Sequence, residues 1–269
     1  MWEPLIPKEI SDWMDLRGWG MHHQLWHYER WWDREPNLRV YVTQHGGARA
    51  DRQEGDPGNG LDFMAMHRTM IRAMQQYFPR YDGIWYGWKK VPTDPDDPAD
   101  PTDVMPANGS PRDFDPDKLK ALDRLEHNLD GFNNDDDLGL FIETSFRPVP
   151  GNPEQVSSDP STGIHSYLHD RFALNKQKTC DPDFGVSMSD FFGNIKNQRF
   201  WRLHGWIDRT WTRFRDLKKL HEDDPAYQAA LRDQAMPLNE MPDMCSSMDR
   251  GPSAADLNLA VDEPQKQHS

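Results

Sequence analysis

The sequence predicts an all-α protein whose core is a four-helix bundle joined by long irregular loops. Apolar residues recur at helical spacing in several segments, and the chain is rich in large core side chains, with 11 Trp, 12 Phe and 13 Met. The 22 Pro residues include many that separate these segments. Because proline cannot continue a helix, this pattern predicts helices separated by loops.

Four segments with helical periodicity form the expected core. The helices are predicted over residues 10–34, 61–78, 161–172 and 197–221. In the first, Ser11 is a candidate cap and Gly18 and Gly20 are candidate weak points. The second is strongly amphipathic and ends before Pro79.

The remaining segments are expected to surround this core. A helix is predicted over residues 117–129, a short strand at LRVYVT (38–43), and a short helix beyond Asp224. Between residues 91 and 116 the chain has seven Pro and seven Asp, which favours a surface excursion. We therefore expect one domain over residues 1–224, followed by a mobile Met- and Pro-rich tail over 225–269.

Composition and charge restrict the partners. The 31 Lys and Arg residues face 45 Asp and Glu, a formal charge of -14, which disfavours nucleic acid and anionic membranes and favours a small neutral substrate. No segment approaches the roughly 20 apolar residues of a membrane span, and the first residues lack the pattern of a signal peptide. We expect a soluble, cytoplasmic protein, for which a weak homo-oligomer remains open.

Six of the 11 histidines fall into two similar sets, each an H-x3-H pair with one distant histidine. The sets are His23, His27 and His67, then His165, His169 and His204. Residues four apart project from one helix face, so each pair offers two imidazoles to one ion and another helix supplies the third. A single pair is often coincidence, but two complete sets predict a dinuclear metal centre.

Four segments around these histidines resemble a known family. MHHQLWH is similar to the HHxHWH helix of arthropod hemocyanins and phenoloxidases, and GLDFMAMHRTMIRAM resembles their third copper-A ligand segment. GIHSYLHDRF resembles a copper-B H-x3-H segment, and NQRFWRLHGWID resembles DPxFYRxHxxID. The segments occur in the family's order over about residues 19–214, so the chain resembles a type-3 copper protein.

This resemblance implies two copper ions, with the first histidine set binding copper A and the second binding copper B. Tyrosinases and phenoloxidases of this family use O2 to oxidise phenols, whereas hemocyanins only carry it. We expect a copper oxidase or monooxygenase that converts small phenols, o-aminophenols or catechols to quinone-type products. The alternatives are a hemocyanin-like dioxygen carrier, a copper-binding protein without turnover, and a zinc hydrolase that uses one H-x3-H pair.

Three carboxylates are candidates for supporting roles. The resemblance suggests that Asp208 accepts the free N–H of a ligand imidazole, whereas the alternative is a salt bridge with neighbouring arginines. Asp170 follows His169 and is a candidate base for the phenol proton, or else an ion-pair partner of Arg171 or Arg68. Glu154 is a candidate for the water-holding acid upstream of copper B.

Other features modify what the resemblance implies. Ser166 stands where many tyrosinases have Asn, which puts the hydroxylation of monophenols in doubt. The large shielding domain of the arthropod proteins is absent, which predicts an open site and favours an enzyme. Candidate pocket walls are Trp26, Phe63, Trp201 and Trp206, and the tail residues Met236, Met241, Met244, Cys245 and Met248 suggest either a hydrophobic flap or a copper-capture segment.

Overall fold

A computed structural model describes residues 5–94, 114–149, 152–173 and 186–241. The chain is predominantly helical, as predicted. The helices are α1 (Lys8–Asp15), α2 (Trp19–Arg30), α3 (Leu38–Gln44), α4 (Asn59–Tyr77), α5 (Asp82–Trp85), α6 (Pro116–His127), α7 (Asp135–Glu143), α8 (Ile164–Arg171), α9 (Gln198–Lys218) and α10 (Pro225–Asp233). Short 3-10 turns cover Pro79–Tyr81, Leu129–Gly131 and Asn194–Lys196, and an antiparallel hairpin joins β1 (Phe146–Val149) to β2 (Asn152–Ser158).

Side-chain caps fix the starts of several helices. Asn197 accepts a hydrogen bond from the backbone N–H of Arg199 at the start of α9. Asp115, Asn134 and Asp224 cap α6, α7 and α10 in the same way. These oxygens satisfy backbone donors that have no partner inside the helix, so short polar residues set where each helix begins.

The predicted helix over residues 10–34 is divided in two. The break between α1 and α2 lies at Gly18, whose φ of +66° is strained for any residue with a side chain. Ser11 is not the cap, because α1 already begins at Lys8 and the Ser11 hydroxyl bonds the carbonyl of Lys8 inside the helix.

The predicted strand at residues 38–43 is wrong, because this segment forms α3. Leu38 and Val42 are buried against Tyr28 and Trp31, whereas Val40 is 65% exposed. In a strand, residues 38, 40 and 42 would share one face, but burial at i and i+4 with exposure at i+2 is helical. The segment is too short for its periodicity to distinguish a helix from a strand, so the packing of this one face determines its conformation.

The long helix α4 lies at the centre of the molecule. It packs against α7, α9 and α10, and α9 in turn packs against α5 and α8. One continuous apolar core fills the space between these helices, including the fully buried Trp19, Trp85, Trp201 and Trp211. Helix α7 and the β-hairpin were not predicted, although Asn134 before three aspartates is a start signal that the sequence contains.

The chain after α10 is hydrogen-bonded to residues of the N-terminal helices. The Gln234 amide oxygen accepts a 2.7 Å hydrogen bond from Trp26, and the Pro237 carbonyl accepts one from Trp19, also at 2.7 Å. The Met241 backbone N–H donates to Leu16. These hydrogen bonds connect residues 234–241 to α1 and α2.

Several predicted features lie outside the described residues. They are most of the acidic segment 91–116, together with Cys180, Met244, Cys245 and Met248. Among the helices of the described part, none combines the length and the apolar character needed to cross a bilayer.

Candidate metal centre

Four helices bring the six predicted histidines into one cluster. Helix α2 supplies His23 and His27, α4 supplies His67, α8 supplies His165 and His169, and α9 supplies His204. All six are buried, with at most 4% of any residue exposed. The two H-x3-H pairs project from single helix faces as their spacing predicts.

The first predicted set is compact. The nearest ligand nitrogens of His23, His27 and His67 all lie within 4.8 Å of one another. The ring centroids of His23 and His27 are 4.9 Å apart, and that of His67 lies 5.7 and 5.9 Å from them. These three nitrogens could hold one metal ion.

The second set differs in one member from the prediction. The group whose nitrogens lie within 4.8 Å of one another is His67, His165 and His204. The Nε2 atoms of His165 and His204 are 3.1 Å apart. The ring of His169 adjoins them, with its centroid 4.6 Å from His165 and 5.4 Å from His204. His67 therefore lies between the two halves, and the halves form one continuous cluster.

Contacts between the halves are close. The rings of His67 and His204 stack with centroids 4.1 Å apart and planes 15° apart. His27 and His165 are parallel within 15° at 5.8 Å. Two ions bound here would be neighbours in one pocket.

Backbone carbonyls orient four of the imidazoles through Nδ1. His67 donates to Phe63 at 3.0 Å and His204 to Phe200 at 2.7 Å, each one turn earlier on the same helix. His23 and His169 instead bond carbonyls of the loop before α9. Since a carbonyl only accepts, the proton lies on Nδ1, and Nε2 keeps its lone pair for a metal.

The Nε2 atoms lack the partners that buried polar atoms normally have. Those of His23, His27, His67 and His169 are buried without a hydrogen bond. An unpaired buried acceptor is costly, and several that face one another also repel. Bound cations would satisfy these acceptors, and His23, His27 and His67 lie close enough together to share one. The residues present therefore fit bound metal, and the donor set consists of nitrogen alone.

Burial keeps these imidazoles neutral. Desolvation lowers the pKa of His23 to about 3 and that of His169 to about 4. Desolvation, followed by repulsion from neighbouring imidazoles, holds the pKa of the other four well below the usual 6.5. Neutral imidazole is the form that binds a metal, so protons do not compete at neutral pH.

Three phenylalanine rings surround the cluster. Phe63 lies 4.6 Å from His67 and 4.8 Å from His165, measured between ring centroids. Phe200 lies 4.0 Å from His204, and Phe191 lies 5.3 Å from His27. Of these, only Phe63 was predicted. Phe200 was detectable as a residue one turn before His204, whereas no local signal indicates Phe191.

The other predicted wall residues differ in their positions. The ring of Trp26 lies 4.9 Å from His27 and is part of the surroundings of the cluster. Trp201 packs against Trp85 at 5.0 Å, and Trp206 is buried in the main core. The expectation of an open site also differs from the structure, because all six histidines are buried.

Asp208 makes a different contact from the one that the resemblance suggests. Its carboxylate accepts a 2.5 Å hydrogen bond from the Nε of Arg68, while His204 Nδ1 is bonded to Phe200. Arg68 follows His67 on α4 and is 2% exposed. Asp208 therefore ties α9 to α4 through Arg68, a partner that lies 140 residues away in the chain.

The other predicted carboxylates lie beside the cluster or beyond description. Asp170 lies at the end of α8, where partial desolvation raises the pKa of its carboxyl group to about 6 although the residue keeps contact with solvent. Glu154 lies in β2, and its side chain is outside the described part. Ser166 is half-buried after His165.

Comparisons of the chain with protein-family models, with curated proteins and with solved structures each find no match. The resemblance to type-3 copper proteins therefore depends on the four sequence segments alone.

Proposed function

We propose that the protein is a dinuclear copper oxidoreductase of the type-3 class, in which α2, α4, α8 and α9 form a four-helix core around two copper ions. Its substrates would be O2 and a small phenol, o-aminophenol or catechol. The observation that supports this most is the state of the six imidazole Nε2 atoms. Four of them are buried without a hydrogen bond, and the other two, of His165 and His204, lie 3.1 Å from each other.

The donor set favours copper over other metals. Imidazole suits copper, zinc, iron and nickel, but non-haem iron sites of this kind add a carboxylate. A zinc hydrolase would need only one set of three histidines, and the second set would then have no role. The four segments that resemble copper-binding helices point to the same metal.

Two bound copper ions would supply the redox chemistry, by which two catechols lose two electrons and two protons each to become quinones while one O2 is reduced to two water molecules. The protein residues would position the imidazoles, exclude water and accept protons. The Nδ1 hydrogen bonds hold the imidazoles in position, and burial keeps them neutral. The rings of Phe63, Phe191 and Phe200 exclude water and offer apolar faces to an aromatic substrate. Asp170 and Glu154 remain our predicted proton acceptor and water-holding acid.

One observation favours the rival without turnover. The six histidines are at most 4% exposed, and the ring of Phe191 stands against both halves of the cluster. Such a closed centre admits a diatomic molecule more readily than a phenol. A dioxygen carrier is therefore the second candidate.

Metal analysis and oxygen uptake distinguish these functions. The metal-free full-length chain is reconstituted with Cu(I) without oxygen, its copper content is measured, and O2 uptake with catechol is then followed beside quinone absorbance. We expect two copper ions per chain and catechol-dependent O2 uptake. Two copper ions without quinone formation would favour the carrier, while one or none would overturn the dinuclear proposal. His22→Ala serves as the control, since His22 belongs to neither set.

A further inference from the structure

The loop before α9 touches both halves of the histidine cluster. The carbonyl of Phe191 accepts a 2.9 Å hydrogen bond from Nδ1 of His23, on α2. Three residues earlier, the carbonyl of Met188 accepts a 2.7 Å hydrogen bond from Nδ1 of His169, on α8. One short stretch of backbone therefore orients an imidazole in each half.

The ring of Phe191 also lies against imidazoles of both halves. It lies nearly parallel to His23, with planes 24° apart, and to His169, with planes 13° apart, each at a centroid distance of 6.4 Å. It also lies 5.3 Å from His27. Backbone and side chain of the same loop thus contact both H-x3-H pairs.

Asn194 fixes the loop from within. It is fully buried, its side-chain amide donates to the Met188 carbonyl at 3.3 Å, and its backbone N–H donates to Asp190 at 2.7 Å. These bonds hold the carbonyl of residue 188 at the position from which it reaches His169. The shape of the loop is therefore set before any ligand binds.

Gly20 lets the loop approach α2. A Cβ atom added to Gly20 would lie 2.5 Å from the carbonyl oxygen of Phe192, a separation that real Cβ atoms do not show. Gly20 is one turn before His23 on the same helix. Any side chain at residue 20 would push the loop away from α2, and with it the carbonyl that orients His23.

We propose that the loop over residues 188–194 is a single positioning element for both halves of the metal centre, so that displacing it weakens both metal sites together. This inference depends on the proposed function only in taking the histidines as metal ligands. Hydrogen bonds that orient ligand histidines typically change metal affinity by 10–100-fold. The loop would therefore link two ions whose ligands lie on different helices.

The test displaces the loop without touching a ligand. Gly20→Ala is made in two full-length backgrounds: His165→Ala, which leaves the first set, and His27→Ala, which leaves the second. The dissociation constant for Cu(I) is measured in each by anaerobic competition with a chelator. Gly83→Ala is the matched control, because a Cβ there meets nothing within 4 Å.

We expect Gly20→Ala to raise the dissociation constant by about 10–100-fold in both backgrounds, and Gly83→Ala to leave it within about threefold. Since alanine favours a helix over glycine, a loss cannot be ascribed to helix propensity. Weakening of the first site alone, or of neither, would overturn the proposal. If Gly20→Ala fails to fold by circular dichroism, Asn194→Ala replaces it and should raise the dissociation constant in both backgrounds, more so at the second site. A dissociation constant that stays unchanged in either background would overturn the proposal.

The failure of this inference is separable from that of the proposed function. If the unsubstituted chain binds fewer than two copper ions, the dinuclear centre itself is wrong. If it binds two and Gly20→Ala leaves both affinities unchanged, only the role of the loop is wrong.

Discussion

Replacing Asp208 by asparagine separates two roles that its carboxylate could have. In the structure it pairs with Arg68, with side chains 20% and 2% exposed respectively. The family resemblance instead suggests a hydrogen bond to a ligand imidazole. The first role predicts a loss of stability with metal affinity unchanged, and the second predicts a loss of metal affinity.

The expected loss of stability follows from the hydrogen bonds that Arg68 retains. In Asp208→Asn the guanidinium keeps its hydrogen bonds to Tyr227 at 3.0 Å, to Thr212 at 2.7 Å and to the backbone carbonyl of residue 208 at 3.0 Å. The asparagine oxygen can still accept from Nε, but the negative charge opposite the guanidinium is lost, and hydrogen bonds to charged groups contribute about 1.5–3 kcal/mol. Removing one partner of a fully buried pair costs about 3–5 kcal/mol. Because Asp208 is partly exposed, we expect a decrease of about 2 kcal/mol in the free energy of unfolding.

Urea unfolding of the metal-free protein measures this decrease, and Cu(I) competition measures affinity. Asp216→Asn is the control, since Asp216 is exposed on the same helix, and we expect it to change stability by less than about 0.5 kcal/mol. A 10–100-fold loss of copper affinity in Asp208→Asn with unchanged stability would refute the structural role and favour the contact that the resemblance suggests.

Three further predictions concern the cluster and the segment after α10. His27→Ala should lower the copper content from two ions to one, whereas His22→Ala should leave two; equal contents by elemental analysis would contradict the ligand assignment. Burial holds the pKa of all six imidazoles below 6.5, so between pH 6.5 and about 4 the unfolded chain binds protons that the folded chain does not. The free energy of unfolding of the metal-free protein should therefore fall on acidification, by up to about 1.4 kcal/mol per pH unit for each histidine. Urea unfolding at neutral and mildly acidic pH measures this fall, and equal stability at the two pH values would contradict the lowered pKa values. Ending the chain after Asp233 removes the hydrogen bonds to Trp19 and Trp26 and the burial of Met236. The free energy of unfolding should fall by about 4 kcal/mol, which would lower the melting temperature. An unchanged melting temperature would show that residues 234–241 add no stability.

Periodicity in the sequence predicted the helices that matter for the site. The expected helix over 61–78 is α4 (Asn59–Tyr77), and that over 197–221 contains α9 (Gln198–Lys218). Helical spacing also indicated that each H-x3-H pair would present two imidazoles on one face. These are local properties, because residues within two turns of a helix determine them.

Local patterns along the chain were thus enough to predict the helical class, most of the long helices and the six histidines of the cluster. Three contacts could not be predicted and became visible in the folded chain: His67 lies between both halves, Asp208 binds Arg68, and the loop with Phe191 contacts both pairs. The folded structure also determines that residues 38–43 form a helix. Each of these contacts depends on which element packs against the residue in question. The partners are far apart in the chain, 140 residues for Arg68 and Asp208, so no periodic pattern in the sequence indicates them. Spacing predicts which way a side chain points on its own helix, whereas its partner is chosen by the packing of the whole core.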